Sequence, residues 1–346
     1  MTRCLLLLAA VVSGLSTEPD PAPAAAAPRP NVILILADDL GWGELGCYGQ
    51  QVIQTPRLDQ MAREGLRFTH FYAGATVCAP SRSVLMTGQH QGHTRVRGNA
   101  GRSNPAAQAL RDEDVTVAEL ARSAGYRTAL FGKWGLGNTP GAESGLPNRQ
   151  GFDEFFGYLS QHHAHNHFPD YLWHNEQRVP LRNVIHPLGQ DGAGYAVEAV
   201  EYADDLFAER VLEFVSAKQQ APFFLFWSLV TPHANNERSA ALGNGAHVPD
   251  FGPYADKDWP EQDRGHAAMI TRLDAHVGRV LDRLRETGLD RHTLVLFSSD
   301  NGPHNESRHN LQRSRRHPVP EGGSRCEAAP SVRCARDSRG SDCGHG

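Results

Sequence analysis

Cys78 stands two residues before Pro80 and four before Arg82 in the stretch Thr76-Val77-Cys78-Ala79-Pro80-Ser81-Arg82-Ser83-Val84-Leu85-Met86-Thr87-Gly88. Proline is favoured in the first turn of a helix, where the N–H it lacks would have no intrahelical partner. The spacing therefore predicts Cys78 at a helix N-terminus, where unpaired backbone N–H groups and the helix dipole favour negative charge. Arg82 lies one turn further along and points back at the same spot. A nucleophile, an anion-accepting helix end and a guanidinium converge. Cys-x-Pro alone would fit an ordinary buried cysteine opening a helix; the longer pattern asks for more.

Other polar groups recur at the ends of apolar runs. Asp38-Asp39 follows Asn31 to Ala37, and Asp300-Asn301-Gly302 follows Thr293 to Phe297. Either pair alone reads as a solvated turn. Together they offer three carboxylates and an amide oxygen, a hard donor set suited to Ca²⁺ or Mg²⁺. Lys133 ends the run Arg127 to Phe131-Gly132 and is one of three lysines in the chain, with Lys218 and Lys257. His233 follows the apolar run Phe223 to Leu229. Gln161-His162-His163-Ala164-His165-Asn166-His167 is dense in histidine but lacks a Cys or Glu at zinc-like spacing, so it reads as a pocket wall facing an anionic substrate.

Cys78 to Gly88 matches Cys-x-Pro-Ser-Arg-x-x-Leu-x-Thr-Gly at every fixed position. That pattern resembles the signature of the type I, formylglycine-dependent sulfatases, arylsulfatase-like members of the alkaline phosphatase superfamily. Gly125 to Trp134 resembles the second signature of the same family, and Asn31 to Trp42 and Ser299 to Pro303 resemble its two metal-bearing segments. The resemblance covers roughly residues 30 to 312. It implies that a maturing enzyme oxidises Cys78 to formylglycine, whose hydrated aldehyde is the nucleophile. It implies Asp38, Asp39, Asp300, Asn301 and residue 78 as metal ligands, usually for calcium, with magnesium as the alternative. Lys133 falls on a sulfate-binding lysine, His233 on a histidine that contacts the sulfate ester and protonates the leaving oxygen, and Arg82 supports the nucleophile. Ser160 is a further candidate for a sulfate contact. One position departs: many members carry histidine two residues after the lysine, and this chain has Gly135. The implied activity is hydrolysis of sulfate esters of small molecules or polysaccharides. A phosphatase or phosphonate monoester hydrolase of the same superfamily, and a non-catalytic sulfate-ester-binding relative, are the alternatives.

The elements that must position these residues alternate. Thr55-Pro56 starts a helix that Gly65 stops, and Thr116-x-x-Glu119 is a capping box for a helix ended by Gly125. Tyr195 to Lys218 is expected to be helical, and Ile270, Leu273, Val277, Val280 and Leu284 form one helical stripe. Strands alternating with helices predict an α/β sandwich of the alkaline-phosphatase type around a largely parallel sheet. Ligands in such sheets bind beyond the carboxyl ends of the strands, where the four polar clusters fall.

The 346 residues are 40% hydrophobic and 21% charged, with a net charge of −5. No basic field suggests nucleic acid. Residues 1–16 read as a secretory signal, too short to span a membrane, and 17–30 as a Pro/Ala-rich linker. The expected protein is exported to the periplasm or outside the cell, with no stable membrane insertion. Residues 31–312 form the catalytic domain. An exported chain usually pairs its cysteines, so a solitary Cys78 is easier to explain as a modified residue.

From Arg313 to Gly346 the chain has no Leu, Ile, Met, Phe, Tyr or Trp, two valines, seven arginines and three cysteines. Such a segment cannot bury a core and is expected to be disordered. It reads as a frame-shifted ending; the resemblance implies that a C-terminal subdomain and a second sulfate-binding lysine are then missing, which would leave a sheet edge uncovered and the chain poorly stable and weakly active or inactive. The codons of Ser324 to Ala328, read one nucleotide later, can spell Arg-Gly-Ala-Lys-Arg, and those of Arg336 to Arg339 can spell Gly-Ile-Arg-Val. Sequencing the coding DNA should show a sulfatase-like continuation in that frame; its absence ends the idea.

Overall fold

The apolar runs become strands buried on both faces, and the helices between them cover those faces. The computed structural model describes residues 29–99, 105–137, 145–189, 191–218, 220–303 and 331–333. The expected signal, the linker apart from residues 29 and 30, and most of the tail lie outside the described residues. In chain order the elements are β1 (Asn31–Asp38), α1 (Pro56–Glu64), β2 (Leu66–Arg67), α2 (Cys78–Thr87), α3 (Val117–Ser123), β3 (Arg127–Lys133), β4 (Glu154–Tyr158), α4 (Gln161–Ala164), β5 (Tyr171–His174), β6 (Gln177–Pro180), β7 (Val184–Pro187) and β8 (Gly194–Glu198). They continue with α5 (Ala203–Ser216), β9 (Phe223–Pro232), α6 (Asn236–Leu242), α7 (Glu261–Glu286), β10 (Thr293–Ser299) and β11 (Ser331–Arg333).

The main sheet has the order β2-β11-β10-β1-β9-β3-β4-β5-β6. Its centre, β10-β1-β9-β3-β4, is parallel throughout. The outer pairings are antiparallel. Five parallel strands end at one edge, which gathers Asp38, Lys133, Tyr158, Pro232 and Ser299. The expected α/β sandwich with a largely parallel sheet is present.

Alternation along the strands splits the core in two. Ile33, Ile35, Phe131, Leu225 and Trp227 face one side, where Leu58 of α1, Val211 and Phe214 of α5, and Leu273 and Val277 of α7 pack on them. Leu36, Leu130, Phe224 and Phe226 face the other, with Ala79 and Met86 of α2 and Ala118 of α3. α2 thereby lies on the sheet face opposite α5 and α7. The helix signals held: Pro56 opens α1, and Thr116 and Glu119 form the reciprocal cap of α3.

Two expectations need correction. The helix predicted from Tyr195 starts only at Ala203. Residues 194–198 are a strand that pairs antiparallel with β7, with His186 opposite Tyr195. A buried carboxylate marks the true start: Asp204 accepts from the N–H groups of Val230 and Thr231 at 3.2 and 3.0 Å, and from the Thr231 hydroxyl at 2.6 Å. The chain must reach β9 in that geometry before the helix begins. The second correction concerns the sheet edge beside β10, expected to be left uncovered. Residues 331–333 pair with β10 at that edge, Leu296 opposite Val332.

Leu273 is 1% exposed on the buried stripe of α7. Leu273→Ala should lower the unfolding free energy by about 2–5 kcal/mol, the cost of a lost side chain and the cavity behind it. Urea titration measures this, and a loss below about 1 kcal/mol would contradict the packing of α7 on the sheet.

Candidate active site

Asp38 ends β1 with no exposed surface. Cys78, the first residue of α2, puts its Sγ 3.4 Å from Asp38 Oδ1. Lys133, the last residue of β3 and also fully buried, puts Nζ 2.5 Å from Asp38 Oδ2. Arg82 reaches Asp38 Oδ1 at 3.6 Å through Nη2, and the same group donates to Asp300 Oδ2 at 2.9 Å. Its Nε also donates to Asp300 Oδ2, at 3.1 Å. The guanidinium is locked from behind by the Lys133 carbonyl at 2.9 Å and by the Ser228 hydroxyl. Five segments far apart in the chain therefore meet here, two of them bringing the carboxylates Asp38 and Asp300.

Electrostatics divides these acids. Burial pushes the Asp38 carboxyl up, but Lys133, His233 and Arg82 outweigh it and hold Asp38 well below the usual carboxylate range. Asp300 goes the other way: burial and the neighbouring Asp38 charge raise it despite Arg82. Cys78 is raised well above an ordinary thiol, by burial first and by Asp38 second. The helix N-terminus is where the spacing places it, but the surrounding carboxylates overrule its preference for an anion.

Asp39 turns away from β1 with φ +63°, a left-handed conformation that aspartate tolerates better than most residues. That turn lets its N–H donate to Asp300 Oδ1 at 3.1 Å and its carboxylate meet the Asn301 amide nitrogen. Glu44 closes the turn, accepting from Gly41 N–H at 2.6 Å while His266 binds its other oxygen at 2.7 Å. Ser299 accepts from Leu40 N–H at 3.0 Å and donates to the Asn301 carbonyl at 2.8 Å, so the two acidic loops are stitched together.

His233 follows β9. Its Nδ1 lies 2.6 Å from the Ala234 carbonyl, which can only accept, so Nδ1 carries the proton and Nε2 faces Asp39 Oδ2 at 3.5 Å. His165 stacks on it, ring centroids 4.7 Å apart and planes 10° apart. His165 in turn meets Glu237 at 3.0 Å and is pushed down to about 4 by burial. His167 Nε2 donates to the His233 carbonyl at 2.8 Å. The histidine-rich stretch is thus a wall of this site at His165 and His167. His163 instead packs against the rings of Tyr158 and Tyr171.

Ser160 lies just past β4 on the same sheet edge, but its hydroxyl is occupied: it accepts from His163 N–H at 3.4 Å and sits 3.3 Å from Asp191. It caps α4. Cys78 shares a tight group with Asp38 and His233, and a second group consists of Asp38, Asp39 and Asp300. Cys47 and Cys78 are both free thiols.

The second group fits a divalent cation. Three carboxylate oxygens lie within 4.8 Å of one another, and Asn301 Oδ1 is buried with no partner among the described residues. All four are hard oxygen donors. Asp39→Ala and Asp300→Ala are each expected to lose bound Ca²⁺ or Mg²⁺ in elemental analysis of the purified protein. Full occupancy in both would refute the ligand set.

The sulfatase family model matches residues 30–327. N-acetylgalactosamine-6-sulfatase of Sus scrofa is 32% identical over 313 residues, which cover 86% of this chain and 53% of that protein. Arylsulfatase A of Homo sapiens is 33% identical over 312 residues, covering 86% of this chain and 55% of that one. The chain spans about half the length of these relatives. Among solved structures, Ps i-CgsB in complex with k-i-k-neocarrahexaose superposes with a TM-score of 0.68 at 24% identity, over 88% of this chain and 66% of that one; it supports the fold. The family match runs across β1, α2, β3, β9 and β10, the elements that bring these side chains together, and the chain belongs to the sulfatase family.

Proposed function

We propose that this protein hydrolyses sulfate esters, with Cys78 converted to formylglycine as the nucleophile. The carrying observation is the position of Asp38, in contact with Cys78, Lys133 and Arg82 at once. A thiol is a poor nucleophile here, because burial and three nearby carboxylates suppress its ionisation. It is also a soft donor beside a hard oxygen nest. Replacing sulfur by the oxygen of a hydrated aldehyde removes both mismatches. This is the chemical argument for modification, and a maturing enzyme is the implied partner.

The chain's own residues then divide the work. Lys133 offers a fixed cation to the anionic oxygens of the ester, and Arg82, clamped by Asp300 and the Lys133 carbonyl, favours the ionised form of the nucleophile. His233 presents Nε2 to the site while its Nδ1–H is tied to Ala234, so a proton on Nε2 can pass to the departing alcohol. His165 holds that ring flat. A divalent cation at Asp38, Asp39, Asp300 and Asn301, with calcium favoured and magnesium the alternative, would supply Lewis-acid stabilisation of the sulfuryl oxygens. A sulfated sugar is the favoured substrate class, supported by the galactosamine sulfatase among the relatives. Export is supported by the signal-like residues 1–16.

The test uses the full chain co-expressed with a maturing enzyme. Cys78→Ala should abolish sulfate release from 4-nitrophenyl sulfate, and the wild-type peptide holding residue 78 should carry the formylglycine mass. Near-wild-type turnover in the variant would sink the assignment. Release of 4-nitrophenol from an aryl phosphate or an aryl phosphonate monoester in preference to the aryl sulfate would move the activity to the related hydrolases.

A further inference from the structure

Gln161 opens α4 with its side chain 5% exposed, and neither its Oε1 nor its Nε2 has a hydrogen-bond partner among the described residues. Buried carboxamides are rarely left so. Its place explains what it could serve. β3 and β4 run parallel with Lys133 opposite Tyr158. The ladder continues past both strands, through Trp134 N–H to the Tyr158 carbonyl at 2.9 Å and Gly135 N–H to the Leu159 carbonyl at 3.1 Å. Residue 135 is thereby carried up against residue 161. Gly135 has φ +76°, and a Cβ built on it would lie 2.1 Å from Gln161 Nε2. The amide of Gln161 fills the volume that a side chain at 135 would need, two residues beyond Lys133. The other end of α4 also meets this site, where its C-cap His165 stacks on His233.

We propose that Gln161 is a substrate-contacting residue, its Nε2 donating to an oxygen of the bound sulfate group. The proposal rests on the sulfate-ester reading of this same site. Gly135 and Gln161 act as a pair: the missing side chain makes room, and the carboxamide supplies a neutral donor between the lysine and histidine walls. A purely structural role does not require an amide. Ser160, not Gln161, caps α4, and an apolar side chain of similar size would fill the same space without burying unpaired polar atoms.

The experiment compares the wild-type full chain with Gln161→Leu and Gln161→Glu in two readouts: titration of inorganic sulfate by calorimetry, and turnover of 4-nitrophenyl sulfate by the matured proteins. Loss of one hydrogen bond to an anion should weaken sulfate binding about tenfold to a hundredfold in Gln161→Leu, with an unchanged or raised melting temperature. Gln161→Glu should weaken it further, because its carboxylate opposes the anion, and it carries the test if the leucine variant does not fold. Sulfate affinity within twofold of wild type in a folded variant overturns the proposal, as does a wild-type protein that binds no sulfate. A wild type that binds sulfate but turns over no ester overturns the hydrolase reading instead, and the titration still decides Gln161.

Discussion

Asp38 is a carboxylate with no access to water, and the rest of the site answers that fact. Removing an ion from water costs several kcal/mol even after relaxation, so an unpaired Asp38 could not persist. Its partners must come from other strands, since β1 itself offers none. Lys133 arrives from β3, across β9 in the sheet, and Arg82 from a helix on the face opposite α5 and α7. Neither is held by Asp38 alone. Arg82 is also clamped by Asp300 and by the Ser228 hydroxyl, and that hydroxyl donates to the Lys133 carbonyl at 2.6 Å. The parallel sheet makes this possible: five strand ends open at one edge, and short turns after them carry the charged groups inward.

Much of this was legible because the relevant physics is local. An apolar run followed at once by Asp-Asp, or by Gly-Lys, announces a buried strand with a polar end. Cys-x-Pro-x-Arg announces a helix start with its own cation. These signals located β1, β3, β9, β10 and α2, and with them the fold class and the candidates for metal ligand and nucleophile. Less legible were groups whose role exists only in three dimensions. Glu44 and His266 are 222 positions apart, and only folding shows that together they hold the turn after β1. Gln161 could have been suspected from Gly135, since a missing side chain beside a critical lysine leaves a volume something must fill. Ser160 stood out instead through its place beside the histidine-rich stretch, and in the fold its hydroxyl caps α4.

The misread helix at Tyr195 to Lys218 teaches the same lesson from the other side. Ala, Glu and Tyr in that stretch are acceptable in a helix, and intrinsic preference could not separate its first part from its second. The hairpin partner at Val184–Pro187 decided the matter by supplying backbone hydrogen bonds. Tertiary pairing routinely overrides propensities of this size.

The balance of charge in the site gives a last argument about what it can admit. Asp38, Asp39 and Asp300 bring three negative charges when ionised, against one positive charge each from Arg82 and Lys133. With all three ionised the remainder is negative; burial first and the Asp38 charge second raise the Asp300 carboxyl and ease part of that excess. A box of that sign would repel a sulfate ester, which carries its own negative charge. A divalent cation held by Asp38, Asp39, Asp300 and Asn301 would reverse that sign and make the same box attractive to an anion. It would also take over part of the neutralisation of Asp38, leaving more of the Lys133 charge for the anion. Cation binding and anion recognition would then be coupled through Asp38, so the carboxylate that had to be paired for the protein to fold would also set which ligands the site accepts.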